Sequence, residues 1–228
     1  MLDTQLTGQV SSHLTQLENN IYIHHAVKSP FTALQKSAQK AGFHLKIASG
    51  FRSFERQLSI WNNKFNNRIA ILDKNERPIL NNTLSDIDKL FAILHWSALP
   101  GASRHHWGTD FDIYDPNQLP AQQALQLNTK EYDQDGYFYD LYAWLNENMG
   151  EFGFYFPYRT YQGGVAREPW HISYFPISEL ALIEFDLNIL STLIIENKIA
   201  AKSLICQQLP IIYKQYICNV NIRDGIVI

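Results

Sequence analysis

Residues 101–115 read GASRHHWGTDFDIYD, and the second half of this stretch decides the fold class. From Thr109 to Asp115 polar and apolar side chains alternate, which predicts a β-strand. Phe111 and Ile113 fall on one face and Asp110, Asp112 and Tyr114 on the other. The apolar face belongs to a core and the acidic face to a cleft. Pro116 halts the strand, and Gly108 lets the chain turn between His105 and its start.

Working outward, FHLKIAS over 43–49 and REPWHISYF over 167–175 carry similar strand patterns, the second fed by a turn at Gly163-Gly164. Helical stretches lie between them. Ser29 caps FTALQKSAQKA, with Pro30 at the first helical position and a stop at Gly42. Ser53 caps FERQLSIWNNKF, where Leu58, Trp61 and Phe65 share a face. Residues 66–82 are polar and turn-rich, a loop with a short hairpin. Ser85 caps DIDKLFAILHWSAL, ended by Pro100-Gly101, and DLYAWLNENM ends at Gly150. From Pro176 onward the spacing is helical. Strands and helices are thus mixed without regular βαβ alternation, which predicts an α+β fold with an antiparallel sheet and flanking helices. The chain divides into a core over 1–176 and a helical extension over 177–228 that packs on it.

Composition bounds the function. Twelve Tyr, thirteen Phe and five Trp among 228 residues suffice to line a cleft as well as a core. The net charge is −3 and no Lys/Arg block occurs, so nothing provides an electrostatic grip on nucleic acid. No run approaches the ~18–20 apolar residues of a membrane span. The first twenty residues lack a basic start and an apolar segment, so they are no secretory signal. The sequence as given therefore reads as soluble and cytoplasmic, with export by another route as the alternative. Cys206 and Cys218 have no metal-type spacing and read as buried small hydrophobes.

Two segments carry chemistry: residues 103–112, SRHHWGTDFD, and residues 168–171, EPWH. Zinc hydrolysis needs three His or carboxylate ligands, an open coordination position and a nearby base that is not a ligand. His105, Asp112 and His171 can supply the ligands and Glu168 the base. His106 and Asp110 stand beside them, one as a rival ligand and the other as a hydrogen-bond acceptor. His13, His24, His25, His44 and His95 share no metal spacing. Glu168 and His171 are three apart and would face opposite ways in a regular strand, so an irregular start at Pro169 is needed to bring both to one centre.

The pattern SxHxxGxxxD followed by ExWH resembles the D-alanyl-D-alanine carboxypeptidase (VanY-type) zinc peptidases, of the hedgehog/DD-peptidase fold. The stretch Ser49-Gly50-Phe51-Arg52-Ser53-Phe54, with Gln57, is similar to the family's SGYRSxxxQ segment. The resemblance runs from about residue 43 to 175. It implies that His105, Asp112 and His171 bind Zn²⁺, that Glu168 is the catalytic base, and that Arg52 binds the peptide or steadies the oxyanion. It also implies that Gln57 and Ser103 are polar substrate contacts, and Trp170 falls in the pocket wall beside them. The expected activity is removal of the C-terminal D-alanine from peptidoglycan stem peptides. An L,D-carboxypeptidase, a dipeptidase or endopeptidase of the same family, and a non-catalytic zinc-containing binding domain are the alternatives. Two positions depart from the family pattern: Asp110 stands where a small residue is usual, and Phe51 and Phe54 stand where Tyr is often found.

Overall fold

The computed structural model describes residues 1–18, 20–79 and 83–221. Its centre is a four-stranded antiparallel sheet in the order β3-β4-β6-β5, formed by β3 (Lys46–Ser49), β4 (Asp110–Tyr114), β5 (Phe154–Tyr155) and β6 (His171–Tyr174). The alternation read in β4 holds. Phe111 and Ile113 are fully buried and pack with Ile47 and Ile172 against α2 (Lys28–Lys40) and α5 (Tyr139–Asn148). The opposite face of β4 and β6 is left to polar side chains.

Two strands are shorter than expected. β3 starts only at Lys46, and β6 starts at His171 because residues 166–170 form an irregular approach and a turn. The helix expected to open at Ser29 begins at Lys28 instead, continuing a 3-10 turn over His25–Val27. Pro30 then sits in the first turn, where a missing N–H costs nothing because no intrahelical acceptor awaits it. The Ser53 and Ser85 caps form as expected. Their hydroxyls accept from Arg56 N–H and Asp88 N–H at the starts of α3 (Phe54–Phe65) and α4 (Asp86–Trp96). Within the loop at 66–82, Leu72 pairs with Pro78 in a single antiparallel bridge, and residues 80–82 lie outside the described ones.

The N-terminal segment holds a short helix, α1 (Asp3–Leu6), and a hairpin of β1 (Leu14–Glu18) with β2 (Ile21–His24). This hairpin backs the site. Tyr22 O accepts from Phe51 N–H at 2.9 Å, and His24 N–H donates to Gly108 O at 2.7 Å. Gly108 has φ 68°, and a Cβ there would lie 2.5 Å from Leu14 Cδ2 and 2.7 Å from His24 N. Only glycine suits that turn.

After β6 the chain continues into α6 (Phe175–Glu184), α7 (Leu187–Glu196), α8 (Lys202–Ile212) and a π-helical turn over Tyr213–Ile217. These elements form a second core with α3 and α4. Phe185, Leu190, Ile194 and Ile205 pack with Trp61, Leu90 and Ile93. Polar bonds join the same elements: Trp61 Nε1–H donates to Ala200 O at 3.1 Å, and Asn62 Oδ1 accepts from Ala200 N–H at 2.7 Å. Cys206 and Cys218 are unpaired, as two isolated cysteines suggest, but both are exposed rather than buried. They lie on outward faces of α8 and of the segment after it, while Ile205, Leu209, Ile212 and Ile217 take the core positions.

Candidate active site

Sheet register brings the first two groups together. Asp112 and His171 are directly opposed on β4 and β6, so their side chains leave the same face as neighbours. Asp112 Oδ1 lies 3.3 Å from His171 Nδ1. His105 comes from the 3-10 turn Arg104–Trp107 just before β4, and its Nε2 lies 3.5 Å from the same Asp112 oxygen. One ligand atom from each of the three residues lies within 4.8 Å of the others, the only such group of His, Cys and acidic side chains among the described residues.

The outer hydrogen bonds fix which nitrogen of each imidazole points inward. His105 Nδ1–H donates to Gly50 O at 2.9 Å, which leaves Nε2 with its lone pair toward the centre. His171 Nε2–H donates to Asp110 Oδ1 at 3.2 Å, which leaves Nδ1. That Nδ1 is buried without a hydrogen-bond partner. An inward lone pair with no donor, beside a second imidazole nitrogen and a carboxylate, is what a zinc ion takes as ligands. The three residues therefore fit the metal.

Charge is consistent with this. Burial would raise Asp112, but His105 and His171 outweigh it and hold the carboxyl well below the usual range. Burial lowers His105, so it is neutral and able to ligate. For His171 burial acts downward, but the neighbouring Asp110 and Asp112 carboxylates outweigh it and lift the ring to about 9.

Glu168 reaches the same centre from the turn before β6. His171 N–H donates to Glu168 O at 3.1 Å, closing the turn, and Glu168 N–H donates to Tyr158 O at 2.9 Å. Its Oε2 lies 3.4 Å from His171 Nδ1. The irregular approach needed at Pro169 is therefore present. Burial pushes the Glu168 carboxyl up to about 7, with Asp112 adding to the rise, while His171, Arg52 and Lys64 act against it. A carboxylate near that value suits proton transfer at neutral pH.

The cleft over these groups has a volume of about 240 Å³. Arg52, Ser103 and Trp170 line it, as does Lys64. Arg52 Nη1–H donates to Gln57 Oε1 at 2.9 Å and Nη2–H to Ser49 Oγ at 3.3 Å. Gln57 itself is fully buried, and its Nε2–H donates to Ala98 O at 2.6 Å. Both ends of its amide are bonded within the protein, and Gln57 holds Arg52 from behind instead of lining the cleft. His106 is not at the centre. Its Nδ1–H donates to Arg52 O at 2.6 Å and its Nε2 accepts from Gly101 N–H at 3.2 Å, so it ties Arg52 to the His105 turn. Asp110 is fully buried. It accepts from Arg104 Nε–H at 2.7 Å, Thr109 Oγ1–H at 2.6 Å and His171, an acceptor beside the centre as expected. Burial would raise it, but Arg104 and then His171 hold it at about 2.

Lys64 and Tyr158 escaped the sequence reading. Lys64 follows Gln57 by two helical turns on α3, a periodicity that places both on one face. Burial lowers its ammonium to about 8, helped by Arg52. Tyr158, whose ring lies 5.1 Å from that of His171, sits in a loop with no local signal. A larger hollow of about 460 Å³, lined by Lys74, His95 and Tyr161, adjoins the cleft at Trp96 but gathers no such set of ligand atoms.

Known proteins are similar to this chain in sequence and in fold. The sequence profile of VanY, D-alanyl-D-alanine carboxypeptidase, matches residues 20–177. An uncharacterized protein of Haemophilus influenzae is 43% identical over 121 residues, 52% of this chain and 92% of that one. A D-alanyl-D-alanine carboxypeptidase of Enterococcus faecalis is 27% identical over 172 residues, 74% of this chain and 54% of that one. Among solved structures, VanYB in complex with D-alanine-D-alanine aligns with a TM-score of 0.54 at 26% identity, covering 76% of this chain and 82% of that one. A mutant of the vancomycin-resistance D,D-pentapeptidase VanY in complex with Zn(II) gives 0.52 at 26%, covering 76% and 83%. The antiparallel sheet, the cleft on its polar face and a match over most of the length agree, and the chain belongs to the VanY family of D-alanyl-D-alanine carboxypeptidases.

Proposed function

We propose that this family peptidase is a zinc carboxypeptidase that removes the C-terminal D-alanine from peptidoglycan stem peptides. The observation that carries the reading is the convergence of His105 Nε2, Asp112 Oδ1 and the unpartnered His171 Nδ1 beside a raised carboxyl at Glu168. His105, Asp112 and His171 would hold the zinc, which would supply Lewis acidity to bring the ionisation of water toward neutral pH and to polarise the scissile carbonyl. Glu168 takes the proton of the attacking water and returns it to the leaving amine of D-alanine. Arg52, steadied by Gln57 and Ser49, offers its remaining guanidinium donors to the substrate carboxylate or the developing oxyanion. Ser103 and Trp170 form the wall beside them. The 1–176 core carries this chemistry in our reading, and the VanY neighbours solved with D-alanine-D-alanine and with Zn(II) support the choice of substrate and metal.

The test is release of D-alanine from a stem pentapeptide and a stem tetrapeptide, with and without a chelator, read by mass spectrometry. Chelator-sensitive release from the pentapeptide alone is expected. Release from the tetrapeptide alone would make the enzyme an L,D-carboxypeptidase. Glu168→Ala is expected to bind zinc and lose turnover, and His105→Ala to lose zinc. An active Glu168→Ala sinks the mechanism.

A further inference from the structure

The family match ends at residue 177, but the cleft draws on the chain well beyond it. Tyr216, on the π-helical turn after α8, lines the same cleft as Arg52, Glu168 and His171. Its ring stacks on Phe91 of α4, with centroids 5.9 Å apart and planes at 28°. Single π-helical turns occur often at functional sites, where they redirect one side chain.

The residues around Tyr216 hold the loop at 157–164. Gln215 Nε2–H donates to Gly163 O. A Cβ on Gly164 would lie 2.0 Å from Gln215 O, so this glycine allows the two backbones to touch. Asn219 Nδ2–H donates to Gln162 O at 2.8 Å. Asn221 is buried and makes three bonds: its N–H donates to Pro157 O at 2.8 Å, its Oδ1 accepts from Thr160 N–H at 2.9 Å, and its Nδ2–H donates to Thr160 Oγ1 at 2.8 Å. Between Pro157 and Thr160 stands Tyr158, whose carbonyl accepts the Glu168 N–H and whose ring meets His171. Asn221 therefore acts on Glu168 through two residues of backbone.

We propose that residues 213–221 form a strap that is part of the active site, with Tyr216 as a specificity-determining residue against the bound stem peptide and Asn221 as a positioning residue for Glu168. The inference rests on the peptidase reading above and adds to it residues outside the family match. Loss of the Tyr216 ring removes an aromatic surface from the bound peptide. Loss of the Asn221 amide frees Pro157–Thr160 and lets Glu168 drift from the geometry that proton transfer requires.

The test uses the full, zinc-loaded chain with Tyr216→Leu, Tyr216→Phe, Asn221→Ala and Asn221→Asp. It reads kcat and KM on the pentapeptide, zinc content, melting temperature, and pentapeptide affinity by calorimetry. Leucine keeps an apolar side chain against Phe91, and the melting temperature separates a folding loss from loss of the ring at the cleft. We expect it to raise KM about tenfold with kcat little changed, and Tyr216→Phe to recover most of the loss. Asn221→Ala is expected to lower kcat about tenfold with KM and zinc content held. Asn221→Asp, whose carboxylate still accepts from Thr160 N–H and accepts a hydrogen bond from the turned Thr160 hydroxyl, restores it. Wild-type kinetics in both Tyr216→Leu and Asn221→Ala overturn the proposal. A wild-type chain that binds the pentapeptide without cleaving it refutes the peptidase reading alone. In that case about tenfold weaker binding by Tyr216→Leu upholds the strap and equal binding overturns it. A wild-type chain that does not bind the peptide overturns both.

Discussion

Replacing Asp110 by Asn removes one charge from a fully enclosed ion pair with Arg104. Arg104 and Asp110 are 4% and 0% exposed, and the Nε–Oδ1 distance is 2.7 Å. The guanidinium also lies over Trp107 and donates to Tyr155 Oη and Ser173 Oγ, but these partners are neutral. Breaking one side of a buried pair costs about 3–5 kcal/mol because the other charge stays behind. Asn still accepts one bond, so the lower end applies. At about 2–4 °C per kcal/mol for a domain of this size, the melting temperature should fall by ~6–12 °C. The same substitution weakens the acceptor that orients His171, and zinc affinity should fall about 10–100-fold. Thermal unfolding by circular dichroism and competition with a chromophoric chelator read the two effects separately. The double variant Arg104→Met, Asp110→Ala, which places the family's usual small residue at 110 and removes the stranded charge, should regain most of the stability and none of the zinc affinity. An Asp110→Asn chain that melts within about 2 °C of wild type and binds zinc equally well would refute the reasoning.

Further outcomes are expected at three other positions. Gly108→Ala, which forces a side chain into β2 at positive φ, should cost about 1–3 kcal/mol and lower the melting temperature accordingly; an unchanged melt would contradict the close approach. Gln57→Leu should raise KM on the pentapeptide about tenfold with zinc content intact, because Arg52 loses its Nη1 acceptor; steady-state kinetics with metal analysis decide it. His24 is pushed down to about 4, first by burial and then by His25 and His13. The unfolded chain binds this proton near pH ~6.5 while the folded chain refuses it, so stability should fall as pH drops from ~6.5 toward 4 and level off above. Melting curves between pH 7.5 and 4.5 should show this, with a shallower slope for His24→Gln, and an inverted slope would count against it.

What could be read in advance follows from how local each signal is. β4 was legible because Asp110, Phe111, Asp112 and Ile113 alternate, and Ser53 and Ser85 were legible because capping is a contact within one turn. The three candidate ligands were named from spacing and family resemblance, although the geometry that brings them together, the pairing of Asp112 with His171 across two strands, is not a property of either segment alone. The β1–β2 hairpin left little trace, since its strands are short and neither is strongly patterned. The roles of Gln57 and Tyr216 were hidden for a different reason. A buried amide that orients an arginine looks the same in sequence as one that meets a ligand, and nothing near residue 216 indicates which cleft it will border.

The separation of the three candidate ligands along the chain also bears on the order of events in folding. His105 and Asp112 are joined by one turn and one strand, so half of the centre can assemble from local structure. His171 arrives only when β6 pairs with β4, which closes a long loop, and Gly50 must already be in place to present the right nitrogen of His105. Such distant pairings form late because loop closure must be met before any contact rewards it. A nascent chain therefore has no complete set of candidate ligands to offer, and an ion held there would join a finished sheet instead of serving as a template on which the sheet is built.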